Sequence, residues 1–76
     1  MKVQESVGPL AVSALRQSPI SALHNLDVTS EGEVIILSGK VGSYYYKQLA
    51  QETVISIVGN RVVVNNIRVS KPSHAN

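Results

Sequence analysis

A chain of 76 residues makes one domain with room for one modest core. It has no Phe, Trp or Cys, so the core must be aliphatic, and disulfides, zinc fingers and thiol catalysis are excluded. A net charge of +2 is too small to argue for nucleic acid as a partner.

No apolar run approaches the ~20 residues that a membrane span needs. The stretch MKVQESVGPLAVSAL has one lysine and a short apolar patch broken by Gly8 and Pro9, and Glu5 sits inside it. That is unlike a secretory signal. The expectation is a cytoplasmic chain, or a domain cut from a longer exported protein.

Residues 1–8 read as a flexible N-terminus. Pro9 suits the first turn of a helix, with Leu10, Ala11, Ala14 and Leu15 as its apolar stripe. Ser18-Pro19 ends that helix, because the residue before proline avoids the α region. Ile20 and Leu23 then dock the connection onto the core. Leu26 and Val28 alternate with Asp27 and Thr29 as a half-buried strand, and Ser30-Glu31-Gly32 turns the chain into an antiparallel hairpin.

The central stretch is Glu33 to Val58. Ile35, Leu37, Gly39 and Val41 share one face of a strand, and Val34 and Ile36 share the other. Gly39 marks a close backbone approach, read as a helix lying on the sheet. Gly42 turns the chain and Ser43 caps the next helix. Tyr46, Leu49, Ala50, Thr53 and Ile57 form its core-facing stripe, and Gly59 stops it. Arg61 to Ser70 is the third strand, with Val63, Ile67 and Val69 inward and Val62, Val64, Asn66 and Arg68 outward. A strand, a crossover helix and a further strand form a right-handed parallel unit.

The order is therefore α-β-β-α-β: an α+β two-layer sandwich, its three-stranded mixed sheet carrying both helices on one face. The domain occupies residues 9–70, and residues 71–76 are a flexible tail.

The chain resembles the BON domain, a small module of bacterial osmotic-shock and nodulation proteins, from about Leu10 to Ser70. The likeness rests on A-L-R-Q-S-P at 14–19, Leu37-Ser38-Gly39-Lys40-Val41, and K-Q-L-A-Q-E at 47–52. It closes with Gly59 and Val63-x-Asn65-x-Ile67-x-Val69. Asn60 stands where the family usually has valine, and the Glu31–Glu33 turn reads as one residue longer than usual. The resemblance implies the same element order, a non-enzymatic role in envelope integrity, often in the periplasm or envelope, and binding to phospholipid membranes or envelope proteins. It carries no universal ligand residues.

Two groups of residues are candidates for contact with a partner. Lys40, Tyr44, Tyr45 and Lys47 combine basic charge with amphipathic rings, which suits an anionic phospholipid surface. The bland alternative is that Tyr46 is core and its neighbours cover the helix start. Val34, Ile36, Val62 and Val64 fall on the open face of the sheet, where they would meet a protein partner or a second copy, or serve strand propensity alone. Ile55 lies opposite the core stripe of its helix and joins this interaction group as an exposed aliphatic.

Other signals are weaker. Gly39-Lys40-Val41-Gly42 has the GxxG spacing of a KH loop, but here it would join a strand to a helix, which disfavours nucleic acid. Val41 also rules out a phosphate loop. His24, His74, Asp27, Glu31, Glu33 and Glu52 form no oriented acid–base pair, so neither catalysis, cofactor nor metal is expected. Asn65 interrupts the inward apolar alternation, and such an amide is kept to bond a neighbouring loop or helix end. The expected function is a binding module for membrane surfaces or envelope-associated proteins. The alternative is oligomerisation through the open sheet face, with KH-like nucleic-acid binding behind both.

Overall fold

A computed structural model describes residues 7–70. The terminal segments expected to be flexible lie outside these residues, except Val7 and Gly8, which begin the first helix. This helix, α1, runs Val7–Arg16. Pro9 sits in its first turn, where no intrahelical N–H bond is lost. Ala11 and Leu15, four residues apart, are its fully buried pair. Leu10, expected in the stripe, is exposed instead.

The Ser18-Pro19 stop is tied down locally. Ser18 Oγ accepts from the Ile20 N–H at 3.0 Å, and the Ser18 carbonyl accepts from His24 Nε2 at 2.6 Å. Because a carbonyl only accepts, His24 carries its proton on Nε2. A 3-10 turn at Ser21–Leu23 follows, burying Leu23 while Ile20 packs on the core.

Strand β1 (Asp27–Glu31) pairs antiparallel with β2 (Val34–Ser38), with Glu31 opposite Val34. The loop between them is therefore Gly32-Glu33. Gly32 has φ +62°, the left-handed conformation that a two-residue loop of this kind needs at its first position.

The third strand is β4 (Val62–Asn65), parallel to β2, so the order is β1-β2-β4 with β2 central. Beyond it β3 (Lys40–Val41) pairs parallel with β5 (Arg68–Val69). The register offset is the same in both pairs, and Asn66, Arg68 and Ser70 donate to the carbonyls of Leu37, Gly39 and Val41. Two long strands thus run side by side, each kinked in the middle. Gly39 makes the kink in one: its φ is +124°, and a Cβ there would lie 2.8 Å from Leu26 Cδ2 and 3.3 Å from Leu26 Cα. The close approach anticipated at this glycine is real, but the approaching chain is the entry to β1, not a helix.

Helix α2 (Tyr44–Val58) crosses from β3 to β4. Ser43 Oγ accepts from the Tyr46 N–H at 3.3 Å, and Gly59, φ +70°, closes the C-terminal end. Its buried row is Ala50, Val54 and Val58, with Tyr46 and Leu49 packed alongside. Ile57 was expected in that row and is exposed. The i, i+4 ridge turns about 40° with each step, so by the last turn the contact has moved to Val58 and left Ile57 at its margin.

The core is aliphatic throughout, built on Leu15, Leu23, Leu26, Ile35, Leu37 and Ile67. Both helices cover the face bearing Ile35, Leu37 and Val41. No helix among the described residues is long and apolar enough to cross a membrane.

Candidate functional site

The parallel register decides what lies together at one end of the molecule. Lys40 is opposite Arg68, and both are exposed on the face away from the helices. The chain then passes Val41, Gly42 and the cap at Ser43 into α2, so Tyr44 and Tyr45 stand at the same end as the tips of β3 and β5. These two residues are 68% and 66% exposed, whereas Tyr46 is half-buried against the core. The bland reading holds for Tyr46, and its two neighbours lie exposed at the helix start.

Two contacts order this group. The Lys47 ammonium lies 6.0 Å from the centre of the Tyr44 ring, at the limit of a cation–π attraction. The Tyr45 and Tyr46 rings are 5.6 Å apart and tilted at 53°. The result is two basic side chains on the sheet face, two open phenol rings at the helix start, and a third cation held beside one ring. Asp27 is the carboxylate nearest along the sheet, opposite Ser38 and one row short of Lys40. Glu31 and Glu33 lie at the far hairpin.

Arg68 was not among the expected site residues. Its outward orientation was legible from strand alternation, but its place beside Lys40 required the parallel register.

Four residues of the second group lie together on the sheet's open face. Val34 pairs with Val62 and Ile36 with Val64 in adjacent strands, so the four make one compact block. Val34 and Ile36 are half-buried, while Val62 is 58% exposed. Thr29 and Glu31 border the block through the β1–β2 register. Ile55 is exposed on α2 and is not part of this block, because the helices lie on the other side of the sheet. The GxxG residues include the extended strand β3, not a loop between helices.

Asn65 fills the structural role expected of it. Its Nδ2 donates to the Lys47 carbonyl at 3.1 Å and to Gln51 Oε1 at 3.0 Å, and its Oδ1 accepts from the Ile67 N–H at 3.1 Å. No group of His, Asp and Glu among the described residues is placed to hold a metal ion.

The BON domain family model matches residues 12–71 of this order of elements. The chain belongs to the BON domain family. BON domains are non-enzymatic binding modules, and the match spans this one from the middle of α1 past the end of β5. No curated protein matches the chain. The surface of this BON domain carries the Lys40–Arg68 pair, the two exposed tyrosines and the block of three valines and an isoleucine.

Proposed function

We propose that this BON domain is a non-catalytic module that docks on anionic phospholipid surfaces through the end carrying Lys40, Arg68, Tyr44, Tyr45 and Lys47. The observation that carries this reading is the Lys40–Arg68 pairing, which sets two cations side by side at the end where α2 begins with two exposed tyrosines. Tyrosine suits the headgroup region because its ring is apolar and its hydroxyl stays wet. Each basic residue near an anionic leaflet contributes about 1 kcal/mol. Three cations and two rings give weak, reversible association, suited to a domain that works beside others. Membership of the BON family supports a binding role and leaves the ligand open.

Co-sedimentation with vesicles tests the reading. Binding is expected to vesicles rich in phosphatidylglycerol and not to phosphatidylcholine alone, and to weaken as salt shortens the screening length from about 10 Å towards 3 Å. Equal binding to both vesicles, or none at high lipid, rejects it.

A second reading rests on the open face. A block of four aliphatics bounded by polar residues is the kind of surface that a protein partner covers. Replacing Ile36→Thr together with Val64→Lys is expected to abolish any self-association while leaving the fold intact. A chain that stays monomeric at about 1 mM would leave this face to a foreign protein.

A further inference from the structure

Among the described residues, the outer edge of β4 presents its hydrogen-bonding groups to no strand. Val62, Asn66, Arg68 and Ser70 turn their N–H groups toward β2 and β3, and β4 is terminal in the sheet, so Val63, Asn65, Ile67 and Val69 point theirs outward. The Ile67 N–H is taken by Asn65 Oδ1. Among the described residues, that leaves Val63 and Asn65 as the open backbone positions of β4.

The two edges of the sheet differ. Strand β1 carries Asp27 and Glu31, charges of the kind that discourage pairing. Strand β4 is Val62-Val63-Val64-Asn65, without proline, lysine or a bulge. Helix α2 hangs over this second edge. Two helices about 10 Å wide lie on three strands about 4.8 Å apart, so they must overhang. The bonds from Asn65 to Lys47 and Gln51 place that flank of α2 above β4. Ile55 is the next residue along the Gln51 row, about 6 Å on, and Val63 lies about 7 Å back from Asn65. On this spacing Ile55, which is 42% exposed, falls towards the Val63 end of that flank.

We propose that this edge, beneath the flank of α2, accepts an extended peptide segment of another protein as an added strand. A second copy does not fit. Antiparallel edge-to-edge pairing would put both α2 helices on the same side of the joined sheet, where two overhanging helices compete for the space above the shared edge. A lone strand has no helix to collide. The strand from 61 to 70 has arginine at 61 and 68 and no carboxylate, so the segment that fits has apolar residues in its middle and acidic residues at its ends. This shares only Arg68 with the lipid reading: the backbone groups of Val63 and Asn65, and Ile55, belong to neither the tyrosines nor Lys40.

The test is amide NMR with a capped synthetic peptide of alternating valine and threonine bearing two aspartates at each end. At about 1 mM peptide the Val63 and Asn65 amides shift, and their hydrogen exchange slows about tenfold or more. The same peptide N-methylated through its centre has no effect, and lysine ends weaken binding. Ile55→Asp and Val63→Pro, each checked for an intact fold by circular dichroism, abolish the response, while Ile36→Thr keeps it. Unchanged Val63 and Asn65 amides overturn the proposal, as does equal binding of the N-methylated peptide. Loss on Ile36→Thr would move the peptide to the open face and overturn it equally.

Discussion

Asn65 makes three hydrogen bonds with one side chain, joining β4 to α2 and fastening the kink before β5. Replacing it with leucine leaves the Lys47 carbonyl and the Ile67 N–H without that partner, in a half-buried place that water reaches only in part. The expected loss is about 1–3 kcal/mol, read as a lower urea midpoint with an unchanged slope. Gly39 is a second fixed point. A side chain there meets both a positive φ and the Leu26 side chain and backbone. Gly39→Ala should cost about 2 kcal/mol or more. Gly42, with open space around it and no positive φ, should tolerate alanine within about 1 kcal/mol. Equal costs at the two glycines would contradict this account of the kink.

At the scale of elements, the cap and the buried ridge of α2 can be tested separately. Ser43→Ala should cost about 1 kcal/mol and Ser43→Asp little. Val54→Ala should cost about 2 kcal/mol, counting buried methyls and the cavity left, and Ile57→Ala less than half of that. Thermal melts of the pair decide the phase of the helix. The element order, the inward faces of the strands, the Ser43 cap and the Gly59 stop were legible because each depends on neighbours within a few residues. The phase of α2 was legible only in part. Tyr46, Leu49 and Ala50 fit either ridge, and the choice between Ile57 and Val58 is made by how the helix lies on its neighbours. The neighbour of Gly39 was misread for a related reason. A strand glycine announces a close approach, but not which chain makes it.

Across the whole molecule, charge is unevenly placed along the long strand pair. Arg61 begins one strand beside the Glu33 end of the hairpin, and Arg68 lies at the other end with Lys40 and the tyrosines. Seven residues of extended chain separate the two arginines by about 23 Å. Lys40, Tyr44, Tyr45 and Lys47 stand close in the chain, so their grouping was legible. Arg68 comes from a strand more than twenty residues later, which only the parallel register brings alongside.

The two arginines permit a comparison at equal net charge. Arg68→Glu and Arg61→Glu change the total charge identically, so a merely diffuse attraction to anionic vesicles would weaken equally in both. The measurement is co-sedimentation of the two variants with phosphatidylglycerol vesicles at low salt. Docking through the Lys40–Arg68 end predicts that Arg68→Glu loses about tenfold or more in affinity while Arg61→Glu stays within about threefold of the unaltered chain. Equal losses in the two variants, or a greater loss for Arg61→Glu, would contradict it.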